Sequence, residues 1–112
     1  MAVLVKGESG FETEAEIAGS FLKRMLGLMF IPGLPEGKAL ILSPCSGVHT
    51  CFMRFAIDVV YLDRNYVVVK KETLFPWRIG RFVKGAGSVM ELNRNAAGKL
   101  QVGDRLEIVK AV

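Results

Sequence analysis

No uninterrupted apolar run in this chain approaches the roughly 20 residues that a membrane-spanning helix needs, so a membrane is not expected among its partners. Cysteine is scarce. Cys45 and Cys51 are the only two, too few for a disulfide framework, and their spacing is not the C-x-x-C of thioredoxin-like redox sites. They would pair only if the intervening loop brought the two side chains together. The opening residues show no basic segment followed by a long apolar one, so the reading is no secretory signal, a cytoplasmic location and reduced thiols. Histidine occurs once, at His49, and any imidazole chemistry near neutral pH must use it. Neither sign of charge dominates: fifteen Lys and Arg against eleven Asp and Glu leave +4, a surplus too mild to indicate nucleic acid by itself.

What remains is ordinary globular composition, 51% hydrophobic and 23% charged over 112 residues, which excludes a disordered chain and predicts one domain over residues 1–112. Ser20 is placed to cap a short helix. Phe21, Leu22, Met25, Leu26, Leu28 and Met29 then recur at three- and four-residue steps, making one wide apolar face, and Gly27 with the following prolines ends it. Strands are predicted over residues 15–18, 39–42, 48–62 with a break near 54–56, 66–71, 89–93 and 105–109, with Asp63-Arg64-Asn65 as a hairpin turn. The expected fold is mainly β: a small β-sandwich or partly open β-barrel with one short N-terminal helix.

The densest chemistry lies at residues 44–53. On an extended chain His49, Cys51 and Met53 share one face, but zinc takes four ligands, or three plus water, and the paired spacing of zinc sites is missing. No metal and no cofactor is assigned. Asp58 and Glu91 each interrupt an apolar strand, where an ionised carboxylate is costly unless paired or hydrogen-bonded. Facing one cleft with His49, they would form a polar pocket able to bind a small molecule or to act as acid and base; facing solvent, they would be alternating strand residues. Residues 74–84 interleave aromatics with cations. That stretch can stack on bases, or it can cover an open end of the sheet with Trp77 and Phe82 buried beneath the arginine stems. The cover is preferred, because no RNP-like or KH-like pattern accompanies it.

Taken in order, Arg24 to Met29, Val48 to Asp63, Val89 to Leu92 and Val102-Gly103-Asp104 resemble the domain-of-unknown-function family numbered 192 (uncharacterised protein family 0127). That family shows an R-x-x-G-L-M helix end, an H-T-x-x-M-x-x-x-I-D strand, a V-x-E-L segment and a G-D turn. The resemblance implies a small, mainly β fold with one helix and supplies no reaction. Position by position it singles out Arg24, Gly27, Met29, His49, Met53, Asp58, Glu91 and Asp104. Of these, Asp104 reads as a turn residue, Gly27 as a helix end or close approach, and Met29 and Met53 as core. Arg24, His49, Asp58 and Glu91 remain as ligand-binding candidates, with Arg24 suited to clamp an anionic group. The leading expectation is a binding domain for a small ligand or partner, itself a monomer or small homo-oligomer. The alternatives are a hydrolase-like enzyme using His49 with Asp58 or Glu91, and a nucleic-acid partner met by Trp77, Arg78, Arg81 and Lys84.

Overall fold

Seven strands account for the chain's regular structure in the computed structural model, which describes residues 2–20 and 27–111. They are β1 (Ala2–Gly7), β2 (Glu12–Ala18), β3 (Lys38–Leu42), β4 (Ile57–Leu62), β5 (Val68–Leu74), β6 (Ser88–Asn93) and β7 (Leu106–Ala111). All join one sheet in the order β5-β4-β6-β3-β2-β1-β7, antiparallel except for the β2–β3 pair. The sheet curls until its two edge strands approach at one end. There Val67 bridges Arg105, the Val68 amide donates to Asp104 O at 2.8 Å, and the Leu106 amide donates to Tyr66 O at 2.8 Å. A single sheet curled into a half-barrel is the partly open barrel rather than the sandwich.

The curl gives the two faces different partners. The inner face buries Val3, Val5, Ala15, Ile41, Val60, Val68, Met90, Leu92 and Leu106, so every strand contributes to one core, with Phe11 and Leu100 filling it from the loops. A second cluster lies on the outer face of β4, β5 and β6. Ile57, Val59, Tyr61, Leu74 and Val89 are covered there by Leu28, Met53 and the loops that carry them. β4 is consequently buried along its whole length and β6 nearly so, the pattern of strands covered on both faces.

Several expectations change. The N-terminal helix falls mostly on residues 21–26, outside the described residues, and among the described residues there is no α-helix. Gly27 has φ 47 and Phe30 φ 68, left-handed values that a right-handed helix cannot pass through. Strand β1 was not predicted, although Val3 and Val5 alternate inward in the manner of a half-buried strand. The expected strand over 48–62 is real only from Ile57; before it the chain turns, with Phe52 at φ 64, and bonds to the 75–80 loop instead of the sheet. The hairpin turn at 63–65 forms as expected. Asp63 Oδ1 accepts from the amides of Asn65 (2.8 Å) and Val67 (3.0 Å). Asp104 takes its turn role, accepting from the Gln101 amide at 2.9 Å. No helix among the described residues is long and apolar enough to cross a membrane.

Asp58 is part of this framework. Its side chain lies on the inner side of β4, where Oδ1 accepts from Thr73 Oγ1 at 2.8 Å and Oδ2 from the Ala97 amide at 3.0 Å. The carboxylate thus ties the loop after β6 across the sheet to β5. Replacing Asp58 with Ala leaves the buried Ala97 amide without its acceptor, at about 1–3 kcal/mol, and removes the bond from the more exposed Thr73 hydroxyl as well. We expect Asp58→Ala to lower unfolding stability by about 2–4 kcal/mol in denaturant melts and to speed hydrogen exchange at Ala97; unchanged exchange there would show that the bond does not hold the loop.

Candidate functional site

Strand register determines what Glu91 can reach. Glu91 lies directly opposite Val59 on β4 and Leu40 on β3, and opposed residues share a face. Asp58, one position from Val59, points to the other side. Glu91 therefore sits on the outer face, among Val59, Tyr61 and Val89, and is only 2% exposed. Over it lies a cavity of about 160 Å³, whose lining includes Leu28, Met29, Cys45, His49, Met53 and Glu91 itself.

Burial without compensation sets the chemistry of this carboxyl. Its Oε1 accepts no hydrogen bond and is the one buried carboxylate oxygen among the described residues left so. Desolvation pushes its pKa from 4.5 up to about 7, because the charged form loses hydration that nothing replaces. At neutral pH the group is poised between a neutral acid that donates and an anion that only accepts.

The walls of the cavity are loops, and Thr50 positions them. It is fully buried. Its hydroxyl donates to Phe75 O at 2.7 Å and accepts from the Arg78 amide at 2.8 Å. Its own amide donates to Arg78 O, and its carbonyl accepts from the amides of Met53 and Trp77. One residue thereby pins the 48–53 loop to the 75–80 loop, with Met53 turned in and His49 at the edge. The Phe30 amide, donating to Phe52 O at 3.1 Å, attaches the 27–31 segment to the same loop. Thr50 was not singled out in the sequence; its place between His49 and Met53 in the H-T-x-x-M pattern was the available signal.

His49 is exposed rather than packed in the core. Its Nδ1 accepts from the Cys51 amide at 3.2 Å, which puts the proton of the neutral ring on Nε2. Cys45 Sγ donates to Gly47 O at 3.0 Å, and neither cysteine is in a disulfide. No three His, Cys, Asp or Glu among the described residues are grouped so as to hold a metal ion. Further along the face, Tyr61 Oη donates to Glu72 Oε2 at 2.6 Å, and the Arg81 amide donates to the same oxygen. Burial, reinforced by that carboxylate, holds the Tyr61 phenol well above its ordinary value. Gly80 makes this close approach possible, since a Cβ there would lie 2.9 Å from Tyr61 Oη.

Of the four expected site residues, His49 and Glu91 share the cavity, Asp58 lies across the sheet, and Arg24 falls outside the described residues. The hydrolase-like alternative accordingly has Glu91, and not Asp58, as the carboxylate near His49. The loop expected to bury Trp77 and Phe82 does the opposite. They are 57% and 79% exposed, because the apolar cover of the outer face comes from Val48, Val83 and Ala86 instead. Trp77 packs on Phe52 (centroids 4.6 Å apart), and Phe52 on Phe30 (5.4 Å).

Comparison with known proteins agrees with the architecture and leaves the activity open. The family model DUF192, described as an uncharacterized ACR, matches residues 2–108. The UPF0127 protein of Pyrococcus furiosus is 37% identical over 96% of this chain and 96% of its own length. That of Pyrococcus horikoshii is 43% identical over 62% of this chain, a match spanning 63% of its own length. A crystal structure of a protein of unknown function from Novosphingobium aromaticivorans superposes with a TM-score of 0.81 at 21% identity, covering 96% of this chain and 84% of that one, and at that identity it shows the fold alone.

The raised pKa of Glu91 has a consequence for stability. The folded state holds a proton that the unfolded state releases near pH 4.5. Stability therefore falls as pH rises from about 4.5 to about 7 and is level above that. At about 1.4 kcal/mol per pH unit the total is about 3 kcal/mol. Melting temperatures taken at roughly pH 5 and pH 8 should drop more for the parent chain than for Glu91→Gln, by on the order of 10 °C. Equal drops would show that Glu91 is not desolvated.

Proposed function

This chain belongs to the DUF192 family, also named UPF0127, and we propose that it is a small-ligand-binding domain whose site is the cavity over Glu91. One observation carries the reading. Residues from three separate sequence motifs, Gly27-Leu28-Met29, His49 with Met53, and Glu91, line the same hollow. Folding alone does not require residues so far apart along the chain to converge on one hollow. The chemistry suits binding: an apolar wall, a few polar groups that fix orientation, and one titratable group with a raised pKa. At about 160 Å³ the guest is compact, on the scale of a small apolar ring, or a single side chain of a partner.

Ligand-observed NMR with a fragment library tests this. Binders are expected to shift the His49 imidazole and Met53 methyl signals together, and His49→Ala is expected to weaken them by about tenfold, the value of one hydrogen bond. Hits that leave both signals unmoved and scatter over the surface would refute the cavity as the site.

A second reading rests on the exposure of Trp77 and Phe82 beside Arg78, Arg81 and Lys84, all exposed. An aromatic loop with cations suits a single-stranded polyanion, although the Phe30, Phe52 and Trp77 rings partly occupy one another's surfaces. Trp77 is the only tryptophan, so its fluorescence reports directly. Quenching by an oligothymidylate at low salt, relieved by salt and by the double change Arg78→Gln with Arg81→Gln, is the expected result. No quenching at low salt refutes it.

A further inference from the structure

We propose that the cavity's ligand is a small organic cation, a protonated amine on a compact apolar body, seated with an N–H on Glu91 Oε1. This rests on the ligand-binding reading above and names the class of ligand. The argument begins with the orphaned oxygen. Glu91 is 2% exposed, it lines the cavity, and its Oε1 has no hydrogen-bond partner among the described residues. A buried acceptor in that state favours a guest that donates, and among donors it favours one carrying positive charge, because the pair is then charge-assisted.

The remaining lining agrees in sign. Among the described residues no Lys or Arg lines the cavity, so a cation meets no like charge from these, whereas an anion would face the carboxylate. Leu28, Leu42, Val48 and the two thioethers of Met29 and Met53 surround the rest of the space. They offer an apolar and polarisable wall to the alkyl portion. The imidazole of His49 stands at the edge with Nδ1 already occupied by the Cys51 amide, leaving Nε2–H to donate to a second, polar substituent.

Among the described residues, the cavity's titratable groups other than Glu91 are His49 and Cys45. On the sheet the nearest register partners of Glu91, Val59 and Leu40, are apolar, and the Tyr61–Glu72 pair farther along is closed on itself. Binding of a cation is therefore governed chiefly by ionisation of Glu91. It strengthens as pH rises through about 7, where burial otherwise keeps half of the carboxyls neutral.

Three probes with one carbon skeleton and different heads test this: isobutylammonium, isobutanol and isobutyrate, titrated while the His49 and Met53 signals are followed. At roughly pH 8 the ammonium should bind about tenfold more tightly than the alcohol and the carboxylate should not bind. The ammonium's advantage over the alcohol should vanish near pH 5, and Glu91→Gln should remove it at every pH. The pH arm uses the parent chain, so the test does not depend on the variant folding. Equal binding of all three heads would overturn the cation and leave the small-ligand reading standing; no response to any of them, together with no fragment hits, would overturn both. Uptake of Ag(I) that displaces isobutylammonium and is lost in Met53→Leu would replace the organic cation with a soft metal ion and overturn the proposal as well.

Discussion

The pairing of Glu91 with Val59 and Leu40 is the constraint on which the rest of this protein depends. Side chains alternate along a strand, so a slip of one residue in β6 would exchange every inward group for an outward one. Met90 and Leu92 belong to the core that all seven strands share, which makes such a slip prohibitively costly. Holding those two inward obliges Glu91 to face outward. Outward here does not mean toward water, because loops cover this half of the sheet. The carboxyl is desolvated as a consequence of the same register that completes the core.

The covering loops are tied to one another by hydrogen bonds, and their backbone is unusual. Phe30, Phe52 and Trp77 all have positive φ, a conformation that costs a non-glycine residue about 1–2 kcal/mol. Cross-loop bonds offset this: the Phe30 amide reaches Phe52 O, and the Trp77 amide reaches Thr50 O. Thr50 is the common anchor, with both its backbone and its hydroxyl engaged across the gap to residues 75–78. The three strained residues bring their rings into contact at the surface, while the loops that carry them also carry Leu28, Met29, His49 and Met53 to the cavity. Departures from preferred backbone geometry tend to gather where a structure is used rather than merely held, and three of the five described non-glycine residues with positive φ lie in the loops that cover this half of the sheet, the other two being Tyr66 and Asn95.

Much of this was legible in the residues. Alternating apolar positions located six of the seven strands, and the turn at Asp63 follows from its side chain bonding the amides ahead of it. His49 and Glu91 could both be selected as polar groups in unexpected surroundings. Asp58 met the same criterion and is different in kind, since its two oxygens bond Thr73 and Ala97. Nothing local separates Asp58 from Glu91: each is a single acid within an apolar strand. What separates them is which face each shares and whether a donor from a distant segment arrives. Residues 48–56 misled for a related reason. Their β-branched and aromatic content reflects a loop that covers a sheet, and propensity does not distinguish covering a sheet from belonging to one.

By itself, the sequence determined the mainly β character, the turn chemistry and the shortlist of ionisable groups, because these follow from side-chain alternation and from the backbone preferences of individual residues. Tertiary structure alone decided that Glu91 Oε1 lacks a partner among the described residues, that Asp58 has two, and that Thr50 joins two loops. It also decided that Trp77 and Phe82 stand outside the cover they were expected to form. Each of those outcomes depends on contacts between segments tens of residues apart. Register and loop closure, which no local pattern encodes, determine whether a buried charge meets a donor or an empty space.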